Sequence, residues 1–269
     1  MTDDNRLRAE GLRIAYDGRT VVDGVDIEIP PGRTTVIVGA NACGKSTLLR
    51  GLSRLVSPAG GAVYLDGASI HRMRTRELAR RLGILPQSPK APEGMTVLEL
   101  VTRGRSPHQT LWRQWSADDG AAVRSALEAT GTGDLAGRPV DELSGGQRQR
   151  AWIAMALAQE TPLLLLDEPT TYLDLAHQMD VLDLVADLNQ QGDRTVVMVL
   201  HDLNQAGRYA DHLVAMKAGR VVAEGDPVDV LSAALIDDVF GLRCEVIKDP
   251  LSGTPLVVPF GRHRCADPA

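Results

Sequence analysis

The segment GANACGKST, residues 39–47, constrains the fold more than any other part of the sequence. It has the spacing G-x-x-x-x-G-K-[ST], follows the apolar run TTVIVG and precedes a helical pattern. In this strand-to-helix setting, the motif predicts a loop whose backbone N–H groups and helix N-terminus cradle phosphates. The predicted phosphate loop comprises Gly39, Ala40, Asn41, Ala42, Cys43, Gly44, Lys45, Ser46 and Thr47.

Within this loop, two side chains are expected to carry chemistry. Lys45 is positioned to reach the β- and γ-phosphates of a nucleotide, and the Ser46 hydroxyl to face Mg²⁺. A chance glycine-rich turn between a strand and a helix is the alternative, and the flanking pattern argues against it.

Short apolar runs alternate with helical patterns along the chain. This alternation predicts an α/β fold in which a parallel sheet carries helices on its faces. Antiparallel strands are expected over residues 7–30, in a hairpin turning at Ala218-Gly219, and in a weaker hairpin at 242–260. The predicted parallel strands are 34–39, 83–87, 163–168 and 195–201, and the predicted helices are about 45–55, 75–81, 96–104, 118–130, 146–159 and 175–191.

We expect residues 1–269 to form one domain, because the sequence has no linker long enough to separate two. In this division, 7–87 and 160–240 form a nucleotide-binding core with an antiparallel β subdomain. Residues from about 88 to 159 form a helical subdomain, and 241–269 a C-terminal tail.

Composition excludes several other classes of protein. The three cysteines are scattered and odd in number, which favours a reduced, cytosolic setting over a disulfide framework or zinc site. A net charge of −6 gives no overall positive field for nucleic acid. The arginine-rich run at 71–81 is expected to be a solvated helix face, with contact to an anionic membrane as the alternative.

The first residues lack the apolar core of a signal peptide. The apolar runs are also far shorter than the roughly 20 residues needed to span a bilayer. We therefore expect membrane association only through a partner.

A second motif, LLLLDEP at residues 163–169, places two acids at the end of a buried strand. Open α/β sheets bind ligands at the carboxyl ends of their strands. Asp167 is therefore a candidate Mg²⁺ ligand and Glu168 a candidate base for an attacking water, although one acid could simply cap the next turn. Two further strands lead to Gln87, which can bind Mg²⁺ and orient water, and to His201, which can donate to a γ-phosphate oxygen.

A third motif, LSGGQRQR at residues 143–150, has the form of an anion-binding helix start. Ser144 and Gln147 fit a capping box, which is the simpler interpretation. A cap does not require two glycines, which lower helix stability and allow close approach of another group. Since the phosphate loop already encloses the phosphates of this chain's own nucleotide, a second clamp fits a nucleotide held by another copy.

With these motifs, residues 7 to about 240 resemble the nucleotide-binding subunits of ABC transporters, whose signature is LSGGQ. The resemblance implies a head-to-tail dimer in which each ATP lies between one subunit's phosphate loop and the other's signature. It also implies the roles of individual residues. The partner's nucleotide would be met by Ser144, Gly145, Gly146 and Gln147. Gln87 matches the family's Q-loop glutamine, and His201 matches the switch histidine. Asp174 matches the D-loop aspartate at the dimer seam, and Tyr16 matches the aromatic ring that stacks on adenine.

The phosphate loop departs from the family in one respect. It reads Gly-Ala-Asn-Ala where the family often has Gly-Pro-Asn-Gly. If position 42 has a positive φ, Ala42 costs about 1 kcal/mol relative to glycine.

The segment 103–119 carries Trp112 and Trp115, which form either a contact surface or a local hydrophobic latch. Together with QRQRAWIAMALAQET and TTYLDLAHQMDVLDL, it resembles the ATPases of ferric-siderophore, haem and cobalamin importers. The resemblance implies ATP and Mg²⁺ as ligands, and a peripheral position at the cytoplasmic face of the membrane. It implies a second copy and separate permease subunits as partners, and a substrate-binding protein as an indirect one. The expected function is ATP hydrolysis that energises an importer of ferric siderophores. A haem, cobalamin or other metal-chelate importer, a non-transport ABC ATPase and a nucleotide-gated switch without useful hydrolysis are the alternatives.

Overall fold

Twelve strands are found in the computed structural model, which describes residues 7–109, 115–192 and 194–261. In chain order they are β1 Leu7–Tyr16, β2 Arg19–Ile29, β3 Thr34–Gly39, β4 Gly60–Leu65, β5 Ala68–Ser69, β6 Leu82–Leu85, β7 Leu163–Asp167, β8 Thr195–Val199, β9 His212–Lys217, β10 Arg220–Gly225, β11 Cys244–Lys248 and β12 Pro255–Pro259.

Nine α-helices connect or flank these strands in the same described ranges. They are α1 Lys45–Leu52, α2 Thr75–Arg81, α3 Val97–Arg103, α4 Ala117–Ala129, α5 Gly145–Ala158, α6 Leu175–Gly192, α7 Leu203–Tyr209, α8 Pro227–Val230 and α9 Ala233–Phe240.

The central sheet has six strands in the order β10-β9-β3-β8-β7-β6. Neighbouring strands are parallel except for β9 and β10, which form an antiparallel hairpin at one edge. An antiparallel sheet of order β2-β1-β4-β5 and the hairpin β11–β12 complete the described strands. The predicted α/β fold with an antiparallel β subdomain is therefore confirmed.

Successive side chains of the central strands enter two different cores, since strand residues alternate between faces. On β3, Ile37 packs with α1 and the antiparallel sheet, whereas Val36 and Val38 pack towards α5 and α6. On β7, Leu165 and Leu166 divide between the same two cores. Both faces of the sheet are thus covered, which explains why its strands read as continuous apolar runs.

Helices α3, α4 and α5 pack together beside this sheet, where the sequence predicted helices. A buried ion pair lies among them: Arg105 donates to Asp119 at 2.8 Å and also to the carbonyl oxygen of Ala158 at 2.7 Å. The predicted division into a core, a helical subdomain and a tail remains a prediction.

In the arginine-rich run, Arg76 and Arg80 both donate to the carbonyl oxygen of Pro107, so part of that helix face is engaged within the chain.

Several element boundaries differ from the sequence prediction. The strand predicted at 83–87 ends at Leu85 because Pro86 has no N–H to donate to a neighbouring strand. The strands predicted at 163–168 and 195–201 end at Asp167 and Val199, which places Glu168 and His201 in the loops just beyond. The predicted hairpins at the amino terminus, at Ala218-Gly219 and near the carboxyl terminus are all confirmed.

Of the two tryptophans in segment 103–119, Trp115 is half exposed, and Trp112 lies outside the described residues. None of the helices in the described ranges is long and apolar enough to cross a bilayer.

Candidate nucleotide-binding site

The phosphate loop joins β3 to α1 and is held by close backbone contacts. Gly44 precedes α1 with φ +109, and a Cβ atom at this position would lie 2.9 Å from the carbonyl oxygen of Val21 on β2. The N–H of Gly219 donates to the carbonyl oxygen of Cys43 at 2.8 Å. The loop is therefore fixed between β2 and the β9–β10 turn, and glycine at position 44 is required sterically.

The ammonium group of Lys45 is enclosed by this loop. The residue is 5% exposed, and its Nζ donates to the carbonyl oxygens of Gly39 at 2.7 Å and Ala40 at 3.1 Å. A lysine ammonium has three N–H donors. Two of them orient the side chain, and the third can meet a phosphate oxygen.

Ser46 and Asp167 form the candidate cation site. The Ser46 hydroxyl donates to Oδ1 of Asp167 at 2.7 Å, while the buried Oδ2 has no hydrogen-bond partner among the described residues. Burial raises the pKa of Asp167 above its ordinary value, although the Ser46 hydrogen bond opposes this. A buried carboxylate oxygen without a donor, next to a hydroxyl group, suits a hard cation such as Mg²⁺.

Glu168 lies at the convergence of three side chains. It is 8% exposed and has a positive φ of 53°. Its Oε2 accepts hydrogen bonds from Nε2 of Gln87 and from the Thr171 hydroxyl at 3.1 Å, and its Oε1 lies 2.7 Å from Nε2 of His201. The ends of three strands are thereby tied to one carboxylate.

Thr171 was not predicted from the sequence. Its hydroxyl lies within reach of Glu168 because the chain turns tightly after β7, where the Thr171 N–H also donates to the Glu168 carbonyl oxygen at 3.3 Å. A hydroxyl residue three positions after the second acid is the signal that could have indicated it.

A cleft of about 770 Å³ brings most of the predicted residues together. This volume lies within the range of roughly 300–1,000 Å³ that is usual for small-molecule sites. The predicted residues that line it are Tyr16, Asn41, Ala42, Cys43, Gly44, Lys45, Ser46, Thr47, Gln87, Glu168 and His201. The lining residues that were not predicted are Arg19, Thr20, Val21, Ala218 and Gly219.

The signature residues do not line this cleft. Ser144 caps α5, accepting from the N–H of Gln147 at 3.3 Å, and its own N–H donates to Oε1 of Gln147 at 3.2 Å, so the capping box is confirmed. Ser144 and Gly145 are exposed. Asp174 is also outside the cleft and contacts His177 instead. Among the described residues, the cleft is therefore lined by the phosphate loop and the residues around it, and not by the signature.

A family model described as "ABC transporter" matches residues 22–171, a range that contains the phosphate loop, Gln87, the signature and Glu168. The chain belongs to the ABC transporter family. As a member of this family it binds ATP.

Similar proteins extend this assignment along the chain. The ferric enterobactin transport ATP-binding protein FepC of Escherichia coli is 55% identical over 257 residues, covering 96% of this chain and 95% of FepC. The achromobactin transport ATP-binding protein CbrD of Dickeya dadantii is 54% identical and covers 96% of each chain. The solved dimeric structure of the ABC transporter cassette MJ0796 superposes with a TM-score of 0.73 at 27% identity, covering 82% of this chain and 98% of that one.

The backbone at Ala42 has φ +60, so the expected strain is present. Replacing Ala42 with glycine should raise the free energy of unfolding of the nucleotide-free protein by about 0.5–1 kcal/mol. The strain of an L-residue at positive φ is removed, and part of this gain is offset by the greater entropy of unfolded glycine. Urea unfolding measures the change.

Ala40→Gly is the matched control in the same loop, because Ala40 is not among the described residues with positive φ. It should lower the free energy of unfolding by a few tenths to about 1 kcal/mol. Equal responses of the two variants would show that strain at Ala42 does not limit the loop.

Burial of the Asp167 carboxylate also has a measurable consequence. Asp167→Asn should unfold at a higher temperature than wild type at pH 7, without Mg²⁺ or nucleotide, because the folded state disfavours the charged form of a group whose pKa is raised. The buried charge of Asp167 lowers the stability of wild type at pH values above the pKa of Asp167 in the folded state, and this loss disappears below the ordinary pKa of 3.8. The difference in melting temperature between the variant and wild type should therefore shrink on acidification. Thermal unfolding from pH 7 to pH 4 tests this. Asp187→Asn, an exposed substitution on α6, is the control and should change stability little at either pH.

Proposed function

We propose that this chain is the ATP-hydrolysing subunit of an importer of ferric siderophores. ATP hydrolysis is supported by one observation: Glu168, Gln87 and His201 lie together in the cleft that Lys45 and Ser46 also line. The cargo is supported by similarity along 96% of the chain to ATP-binding proteins named for ferric enterobactin and achromobactin transport.

In this proposal, ATP lies with its triphosphate on the phosphate loop and its adenine against Tyr16, at the rim of the cleft. Lys45 and the backbone N–H groups of the loop bind the β- and γ-phosphates. Ser46, Gln87 and Asp167 would hold Mg²⁺. When bound, that ion neutralises charge on the β- and γ-phosphate oxygens.

Hydrolysis then depends on Glu168. The carboxylate orients a water molecule towards the γ-phosphorus and takes its proton as the new P–O bond forms and the bond to ADP breaks, a contribution of roughly 10²–10⁴ in rate. His201 donates to a γ-phosphate oxygen. Oε2 of Glu168 accepts two hydrogen bonds and Oε1 faces Nε2 of His201, and since a carboxylate can accept about four hydrogen bonds, it can still accept one from a water molecule.

The second wall of the site comes from another copy of the chain. Ser144 and Gly145 are exposed. Two large apolar side chains close to Asp174 in the sequence are also exposed, Tyr172 to 90% and Leu175 to 71%. In a head-to-tail dimer these groups are buried, and Ser144, Gly145, Gly146 and Gln147 face the partner's γ-phosphate. The dimeric cassette MJ0796 supports this assembly.

ATP binding closes the dimer, and hydrolysis removes the phosphate contacts that hold it closed. Separate permease subunits sense this movement through a groove formed near residues 87–100, on the cytoplasmic face of the membrane. The chain is then a peripheral subunit, and a substrate-binding protein that delivers the chelate is an indirect partner.

Glu168→Gln should form a stable dimer in the presence of Mg²⁺ and ATP and release phosphate at least about 100-fold more slowly than wild type, because the glutamine retains the shape but not the basicity. Light scattering after size-exclusion chromatography and a phosphate-release assay measure the two properties. Normal turnover, or no ATP-dependent dimer, would contradict the assignment.

The cargo is tested by uptake of ⁵⁵Fe-labelled ferric siderophores into cells whose own copy of this chain carries Glu168→Gln. Siderophore uptake should fall to the level of a strain lacking the chain, and haem and cobalamin uptake, measured in parallel, should not change. Loss of haem or cobalamin uptake with normal siderophore uptake would assign the importer to that cargo instead.

A further inference from the structure

The second glycine of the signature, Gly146, packs against a histidine of its own chain. A Cβ atom on Gly146 would lie 2.5 Å from Cδ2 and 2.9 Å from Cγ of His177, near the start of α6. Cβ contacts this short do not occur without displacement of one partner. Gly146 is buried, whereas the preceding Gly145 is exposed. The missing side chain at position 146 therefore accommodates the His177 ring, a reason for glycine that does not involve a nucleotide.

The other edge of the same ring is fixed by Asp174. Nδ1 of His177 lies 2.7 Å from Oδ1 of Asp174, and the backbone N–H of His177 donates to the same oxygen at 3.0 Å. These hydrogen bonds hold the pKa of Asp174 below its ordinary value, so the carboxylate is the acceptor and Nδ1 carries the proton. The imidazole ring is thus held between the first turn of α5 and the carboxylate of Asp174.

We propose that His177 is a positioning residue that locks the signature end of α5 to the Asp174 segment of the same chain. This inference rests on the proposed function, because both elements lie at the dimer seam only if the chain closes head to tail on ATP. His177 is not among the residues that line the cleft of its own chain.

The lock connects two different ATP sites of the dimer. The start of α5 faces the partner's nucleotide, while the segment that ends at Asp174 begins at Glu168, which serves the chain's own nucleotide. Thr171, in the middle of that segment, donates to Glu168. With His177 in place, α5 and the Glu168 turn move as one body, and a dimer that closes on one ATP sets the geometry of the other.

A double-mutant cycle tests the packing between Gly146 and His177. All variants carry Glu168→Gln, so that the ATP concentration giving half-maximal dimer can be measured without turnover. Gly146→Ala should raise this concentration at least about tenfold, because the added methyl group overpacks the ring contact. His177→Ala alone should raise it less, and the double variant should return to within about threefold of His177→Ala.

Gly145→Ala is the matched control in this cycle. A Cβ atom there finds its nearest neighbours, Cδ2 of Leu173 and the carbonyl oxygen of Tyr172, at 3.6 Å, which is ordinary van der Waals contact. Any rise in the half-maximal ATP concentration caused by Gly145→Ala should be the same with and without His177→Ala. The proposal would be overturned if His177→Ala did not lower the half-maximal ATP concentration of the Gly146→Ala variant. It would also be overturned if His177→Ala lowered this concentration equally in both glycine variants.

His177→Phe tests the hydrogen bond to Asp174 and does not depend on the folding of Gly146→Ala. The ring stays against Gly146, but its Nδ1–H is lost, so the half-maximal ATP concentration should rise about threefold or more while the melting temperature of the nucleotide-free chain changes little. An unchanged ATP concentration would contradict the lock. If the Glu168→Gln parent itself forms no ATP-dependent dimer, the proposed function fails and not this inference alone.

Discussion

The buried ammonium group of Lys45 is the feature on which the rest of the site depends. Its hydrogen bonds to the carbonyl oxygens of Gly39 and Ala40 hold a positive charge inside the phosphate loop. The loop can hold this arrangement because Gly44 and Gly219 allow β2, the loop and the β9–β10 turn to approach within hydrogen-bond distance. The loop is therefore held in place by contacts within the chain, and a preorganised loop lowers the ordering cost of the ATP binding proposed for it.

The parallel sheet brings polar side chains from three strands to the same edge. Strands β6, β7 and β8 end side by side, so Gln87 and His201 meet Glu168 although both are distant from it in sequence. The two acids differ in environment. Asp167 is buried with one oxygen lacking a protein donor, as suits a cation ligand, whereas Glu168 is surrounded by donors that hold it in position. Neighbouring carboxylates thus acquire separate tasks from their surroundings.

The sequence predicted those parts of the site that depend on local chemistry. The phosphate loop, the two acids at the end of β7 and the capping box at Ser144 are each contained within a few residues, so spacing and residue type were sufficient to predict them. The contact between Gln87 and Glu168 joins residues 81 positions apart and depends on how β6 pairs with β7. Local patterns do not determine such pairing. The β4–β5 hairpin was missed although its Asp66-Gly67 turn has the same Asp-Gly signal as the turn at Asp17-Gly18. Gly146 is a different case: the sequence singled it out as a nucleotide contact, which remains a prediction, and its packing against His177 appears only in three dimensions.

In the proposed dimer, one copy supplies only half of each ATP site. A crystal structure of the Glu168→Gln variant with Mg²⁺ and ATP would show both halves together. We expect two copies related head to tail, with Oγ of Ser144 from one copy about 3 Å from a γ-phosphate oxygen of the ATP that Lys45 of the other copy binds. A closed pair in which Ser144 lies far from both γ-phosphates, or an ATP enclosed entirely by one copy, would rule out a shared site.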